Sequence, residues 1–363
     1  MQEQKPSRTH ISSSYFRKLT TVTLVAVYLL ILAGGVVRST GSGMGCPDWP
    51  KCFGKIVPPT SAAELPDGYQ EFYSEYRYQK NVRFARYLDL FGYGEIGAKI
   101  LADERIREEA PFNVYKTWTE YINRVIGVLV GFFIVLLLLG SVRYFKSNRK
   151  LFWLSLLCFV SVIFQGWLGS IVVSTNLLQW LITVHMVIAV IIVGILTALF
   201  YFSHQERFQR FTFKRNKTVI ALLMVNILFL TIQIIFGTQV RESLDIVAEE
   251  LGNSSRGDWI DSLGLIFIVH RSFSLALLAV ALILFYYLHK VNLKEIKLLA
   301  YTKVLVVLFV LEILSGAIMA YFAIPFWVQP IHLLLGTLLF GWQFYMLLIF
   351  SFINKQKHVY AIS

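Results

Sequence analysis

Eight apolar runs long enough to cross a bilayer constrain this chain more than any other feature of its sequence. A hydrocarbon core of about 30 Å is spanned by roughly 20 helical residues at about 1.5 Å each. Inside lipid the backbone must satisfy its own polar groups, so such runs fold as helices. They lie near 19–37, 119–142, 151–174, 178–203, 217–240, 264–288, 298–321 and 326–352. Hydrophobic residues make up 56% of the chain and charged residues only 15%, which rules out an ordinary soluble multidomain protein. The expected class is an all-α polytopic membrane protein with eight transmembrane helices.

A net charge of +12 could signal nucleic-acid binding, but the distribution of the charge points to a membrane. Lys5, Arg8, Arg17 and Lys18 precede the first run; Arg143, Lys146, Arg149 and Lys150 fill the second connection; Arg207, Arg210, Lys214, Arg215 and Lys217 fill the fourth. Lys290, Lys294 and Lys297 sit in the sixth, and Lys355 and Lys357 near the end. With eight spans these segments share one side, the cytoplasm by the positive-inside rule, with both termini there. The fifth connection, carrying Asp245, Glu249, Glu250, Asp258 and Asp261, is acidic and falls outside. The expected location is a bacterial-type inner (cytoplasmic) membrane or its equivalent, with membrane lipid as a partner and no nucleic acid. The first run is not read as a cleaved signal, because its end, Gly34 to Arg38, resembles Gly237 to Arg241 at the end of the fifth.

That resemblance belongs to an internal duplication. His270 and His332 are 62 residues apart, as are Asn123 and His185, and the two pairs are offset by 147. Arg124 aligns with Arg271, Gln165 with Glu312 and Gly169 with Gly316. Four spans per copy, both entering from one side, imply two four-helix bundles related by a pseudo-twofold axis along the membrane normal. The boundaries expected are a tail at 1–18, an N-terminal bundle at 19–203 with a long outer loop at 38–118, a linker at 204–216, a C-terminal bundle at 217–352 and a tail at 353–363. Within the outer loop, Tyr69 to Leu90 has near-helical amphipathic spacing, fitting a helix on the membrane surface or over the bundle, or equally a solvated helix without a role.

Ionisable residues at matched depth inside a membrane read as functional sites. His185, His270 and His332 each lie about 10 Å inside the outer boundary by residue count. His270 and His332 occupy spans of the same direction and can face each other, which suits bis-histidine ligation of a haem between helices. Zinc would ask for further ligands, and copper for a thiolate or thioether at this level. Arg124 and Arg271, with Arg38 and Arg241, are candidates for pairing with haem propionates, or else for interfacial snorkelling. Glu120 is one turn from Asn123, and its counterpart in the second copy is Phe267. A carboxylate beside one site only suggests proton handling or substrate positioning, against a plain interfacial role. Cys46 and Cys52 lie on the outer side, where a disulfide is favoured over two thiols, and Cys158 reads as a buried small hydrophobe.

The run Gly34 to Pro50 (GGVVRSTGSGMGCPDWP) resembles the first loop of heme A synthases. The segments Glu120 to Arg124 (EYINR) and Gln165 to Gly169 (QGWLG), with His185, His270 and His332, are similar to that family's other motifs, and the likeness covers all eight runs. The resemblance implies an oxidoreductase of cytochrome oxidase assembly that converts the C8 methyl of heme O to the formyl of heme A. It implies heme b on His270 and His332 in the C-terminal bundle, and the substrate haem in the N-terminal one on His185. It also implies a Cys46–Cys52 disulfide and a glutamate important for activity, Glu120. Implied partners are heme O, the enzyme supplying it, an unidentified electron donor and cytochrome oxidase assembly components. The sequence departs from the family at Asn123, where members carry histidine: either the substrate iron keeps an open axial position beside Asn123, the preferred reading, or the activity is altered. A haem electron carrier without chemistry and a haem-binding chaperone or transporter are the rival classes.

Overall fold

The computed structural model describes residues 12–109, 111–205, 216–292 and 296–360, with side chains at 253–254, 291–292, 296–298 and 353–360 outside that description. Of the basic residues named above, Lys5, Arg8, Arg207, Arg210, Lys214, Arg215 and Lys294 lie outside the described residues, as do the side chains of Lys297, Lys355 and Lys357. The tail at 1–18, the linker at 204–216 and the tail at 353–363 therefore fall largely outside it as well.

The chain forms α1 (Ser14–Ser39), α2 (Tyr69–Leu90), α3 (Gly94–Ala102), α4 (Val114–Ser141), α5 (Arg149–Ser174), α6 (Gln179–Ser203), α7 (Lys217–Leu251), α8 (Trp259–Ser262), α9 (Gly264–Asn292), α10 (Ile296–Tyr321) and α11 (Val328–Tyr360). Eight of these, α1, α4, α5, α6, α7, α9, α10 and α11, are long and apolar enough to cross a membrane, so the chain is an integral membrane protein of all-α class. Local chemistry sets several starts. Ser13, Asn113 and Asn216 cap α1, α4 and α7, each side chain accepting a backbone N–H from the first turn.

The spans match the apolar runs within a few residues except α11, whose helix runs on to Tyr360 through part of the expected tail, and α7. That helix continues three turns past 240, through residues assigned above to an acidic loop. No glycine or proline interrupts the stretch from 241 to 251, Arg241 and Asp245 support it as an i, i+4 pair at 2.6 Å, and it stops at Gly252, whose φ of +68° favours glycine.

Neighbour relations sort the spans into two rings. Helix α1 packs on α4, α4 on α5, α5 on α6, and α6 back on α1; likewise α7 packs on α9, α9 on α10, α10 on α11, and α11 on α7. Helices α4 and α6 are thus diagonal in one ring, and α9 and α11 in the other. The rings meet where α11 lies against α1 and α6, and α6 against α7. Burial follows this plan: 50% of the apolar stretch of α6 and 61% of that of α11 are buried, against 11–33% in the other spans, which turn broad faces outward. The shared core includes Val193, Leu196 and Leu199 of α6, Leu223 of α7, and Leu339, Met346 and Ile349 of α11.

Over one end of the first ring, the end expected above to face outward and named the outer end on that expectation, lies the segment between α1 and α4. Helices α2 and α3 pack Phe84, Ile100 and, just beyond, Ile106 against Leu168 and Ile171 of α5 and Leu181 of α6. Asn81 donates to the Ser174 carbonyl at the end of α5 (2.8 Å). Buried Arg77 pairs with Glu109 at 2.7 Å and donates to the Glu108 carbonyl. Of the expectations for this segment, the structure shows a helix laid over the bundle.

Candidate functional site

One contact recurs at four places. A Cβ built on Gly169, Gly237 or Gly316 would lie 3.4 Å from Cε1 of His185, His270 or His332, respectively, and one on Gly34 would lie 3.9 Å from Asn123 Oδ1. Each glycine sits on the helix beside the one carrying its ligand-type side chain. Without a Cβ the helix backbone closes onto the edge of the ring and fixes its position. The four polar side chains thus fall on the diagonal pairs, Asn123 and His185 on α4 and α6, His270 and His332 on α9 and α11. None of the four is fully buried, so each keeps open space on its remaining side.

One helical turn before each glycine on α5, α7 and α10 stands a second polar residue. Gln165 donates to the His185 carbonyl (2.9 Å) and Gln233 to the His270 carbonyl (3.0 Å). Glu312 instead lies beside the ring of His332, Oε1 to Nδ1 at 3.4 Å, where Ser315 Oγ also reaches Nδ1 (2.8 Å). On α1 the corresponding position is Leu30. The site around Asn123 therefore lacks both the imidazole and its companion. Gln233 and Ser315 were not singled out from the sequence; the spacing of four that Gln165 and Glu312 share with their glycines was the signal for Gln233.

Glu120 and Arg124, one turn apart on α4, hold the outer loop. The buried Glu120 carboxylate accepts the Cys46 N–H (2.9 Å) and pairs with Arg124 at 2.5 Å. Arg124 donates further to the carbonyls of Asp48 (2.5 Å), Lys51 (2.8 Å) and Cys46 (2.9 Å). Thr117 donates to the Gly45 carbonyl (2.8 Å), and Gly45 is pressed so closely on the backbone of Lys116 and Thr117 that no side chain fits there. Inside the loop Cys46 and Cys52 form a disulfide, and the Asp48 carboxylate accepts the N–H groups of Phe53 (2.7 Å) and Gly54 (2.9 Å). In the second copy Phe267 replaces the carboxylate, and the Arg271 guanidinium lies over its ring at 5.7 Å.

The four arginines proposed from sequence for propionates thus differ. The N–H groups of Arg124 are engaged by the loop and Glu120. Arg38 of α1 and Arg241 of α7 converge on Asp245, and Arg241 also donates to the Arg38 carbonyl (3.0 Å), so this pair joins the two rings. Arg271 is exposed and pairs with no carboxylate among the described residues. Cys158 is buried, as expected.

The donor set fits a haem. Among the described residues, Nδ1 of His185, Nδ1 of His270 and Oδ1 of Asn123 are buried without a hydrogen-bond partner, so none of these side chains is committed there to another polar group. Imidazole nitrogens on diagonal helices of a four-helix ring are the usual setting for axial ligation.

The sequence pattern of the COX15-CtaA family, described as cytochrome oxidase assembly protein, matches residues 17–89 and 103–344, which include every residue of these sites. Among curated proteins, the chain is 25% identical over 248 residues to the heme A synthase of Shewanella oneidensis, covering 68% of this chain and 63% of that protein. It is 26% identical over 239 residues to the heme A synthase of Pelagibacter ubique, covering 62% and 61%. A further match, to the heme A synthase of Alkalihalophilus pseudofirmus, is 25% identical over 152 residues, 42% of this chain and 34% of the other. The chain thus spans less than two thirds of the length of these relatives. With most of its residues inside the family pattern, the chain belongs to the COX15-CtaA family of cytochrome oxidase assembly proteins.

Proposed function

We propose that the chain is a heme A synthase, oxidising the C8 methyl of heme O to the formyl of heme A for cytochrome oxidase assembly. The observation that carries this reading is the glycine-backed polar pair on diagonal helices of both rings, with unpartnered nitrogen on His185 and His270. The names of the relatives supply the product, and the motif resemblance supplies heme O as the substrate. On this reading residues 217–352 form the heme b half, with His270 and His332 as its ligands, and residues 19–203 form the substrate half, related to it by a pseudo-twofold axis. Haem iron, when bound, supplies one-electron and dioxygen chemistry.

The residues of the chain do the rest. His185 holds the substrate iron, with its carbonyl fixed by Gln165 and its ring edge by Gly169. Asn123, a poor iron ligand beside imidazole, would present its amide to a bound haem for hydrogen bonding and would not ligate it. Glu120 and Arg124 act by positioning: they hold the disulfide loop over the outer end of the substrate ring and exclude water from it. Arg271 is the strongest propionate partner, being exposed and free of a described carboxylate, with Arg38 and Arg241 second. The enzyme that supplies heme O and an electron donor complete the partners, and the location is an inner membrane with cytoplasmic termini.

The test is haem extraction and mass analysis after expression with and without a heme O source. Heme A is expected only when chain and heme O are both present. His185→Ala should lose the product while keeping the low-spin b-type spectrum that His270→Ala and His332→Ala abolish. Two tightly held unmodified haems would identify an electron carrier, and haem released reversibly without formyl product would identify a chaperone or transporter.

A further inference from the structure

At the end of the first ring opposite the disulfide loop, the connection between α4 and α5 makes a tight turn at Val142–Tyr144. Tyr144 points inward: its hydroxyl accepts the Ser13 N–H (2.8 Å) and its ring meets Phe16 at 5.1 Å. With Tyr144 held inside, the side chains on either side of it turn outward and border an open surface cavity of about 430 Å³, lined by Val142, Arg143, Phe145, Lys146 and Phe152. That volume falls within the range of about 300–1,000 Å³ common for small-molecule sites.

The lining has two characters. Val142 (54% exposed) and Phe145 (43%) belong to the outward surface at the end of a spanning helix, and Phe145 packs edge-on to Phe152 at 5.0 Å. Arg143 and Lys146, three residues apart, line the same space and pair with no carboxylate among the described residues. The sequence supplies none nearby either, since no Asp or Glu occurs between Glu120 and Glu206. Lys150, the next cation but one, is turned away over the rings of Phe202 (4.9 Å) and Phe352 (5.3 Å).

We propose that this cavity is a binding site for one anionic phospholipid, its phosphate between Arg143 and Lys146 and the start of its acyl chains on Val142, Phe145 and Phe152. A soluble anion would use the two cations but not the apolar wall, and a zwitterionic lipid would bring a phosphate and acyl chains but also a headgroup cation that Arg143 and Lys146 repel. Basic pockets at the end of spanning helices that also carry apolar surface meet lipid headgroups by this combination.

The experiment reconstitutes the full chain in vesicles of equal phosphatidylglycerol and phosphatidylcholine, extracts it in mild detergent and counts retained lipids by mass spectrometry. One phosphatidylglycerol per chain should be retained, favoured over phosphatidylcholine by about thirtyfold, the factor two basic residues supply near an anionic surface. Arg143→Gln with Lys146→Gln should abolish the preference. Lys290→Gln with Lys303→Gln, which removes equal charge away from the cavity, should keep it. Equal retention of the two lipids, or unchanged preference in the Arg143/Lys146 variant, overturns the proposal. So does displacement of the lipid by millimolar inorganic phosphate, which would mark a site for free anions.

Discussion

Replacing Arg124 by glutamine should release the outer loop while leaving the eight spans in place. The side chain of Arg124 is only 12% exposed, so its contacts are little screened by solvent. It makes five hydrogen bonds, three of them to loop carbonyls and two to Glu120. A hydrogen bond to a charged group contributes about 1.5–3 kcal/mol, and removing one partner of a buried ion pair costs about 3–5 kcal/mol. These overlap and are not summed. Taking the lower bound of about 3 kcal/mol, loop opening becomes roughly 10²-fold more frequent. The assay is the rate at which a membrane-impermeant reductant opens the Cys46–Cys52 disulfide in intact membranes, read by mass-tagging the freed thiols. Arg124→Lys keeps a cation for Glu120 without the planar fork, so its rate should fall between wild type and Arg124→Gln. Arg271→Gln, the counterpart with no loop to hold, should leave the rate unchanged. Reduction of Arg124→Gln at the wild-type rate would refute the idea that this guanidinium clamps the loop.

Two further outcomes concern the outer segment. Arg77 and Glu109 lie outside the spans, and burial pushes the carboxyl of Glu109 up and the guanidinium of Arg77 down, each drawn partly back by the other. Arg77→Met should destabilise the α2–α3 cap by about 3–5 kcal/mol, seen as faster proteolysis between 64 and 116, and Glu109→Gln added to it should restore most of the resistance; a double variant as labile as the single one argues against the pair. Glu64 is held down to about 2 by the Thr60 N–H, the Thr60 hydroxyl and Lys55. Because its value in the fold is depressed, the stabilisation of this turn is present above about pH 4.5, the ordinary glutamate value, and is lost as pH falls towards 2. Amide exchange at Thr60 and Ser61, corrected for its intrinsic rate, should report that loss, and protection unchanged down to pH 2 would count against it.

The spans were legible because their signal is local: each is a run of apolar residues whose length the bilayer dictates. Helix α2 was legible for the same reason, its amphipathic spacing from Tyr69 to Leu90 giving the bounds found. The run-on of α7 was not, because hydropathy reports where lipid ends and not where hydrogen bonding ends. The three histidines and Asn123 could be read from their repeat spacing, and so could the contrast of Glu120 with Phe267. Their partners could not. That Glu120 receives the N–H of Cys46, 74 residues earlier, and that Arg38 meets Asp245, 207 residues later, are facts of packing between distant segments. Neither carries a periodic signature. The glycines opposite the imidazoles lie between: their register was visible, but their purpose emerges only when the ring edge is seen against them.

The clamp on the outer loop also sets an order of events during synthesis. The loop from Gly45 to Lys51 takes its place only against Lys116 to Arg124 of α4, and the contacts span 71 to 78 residues. At about 5–20 residues per second, the ribosome needs roughly 4–15 s to supply that helix after the loop has emerged. During this interval Cys46 and Cys52 lack the helix that shelters them and lie close together in sequence. Once α4 is in place both sulfurs are almost wholly buried, Cys46 at 0% and Cys52 at 1% exposure. The two sulfurs are thus within reach of a thiol reagent before α4 packs on the loop and shut away after it.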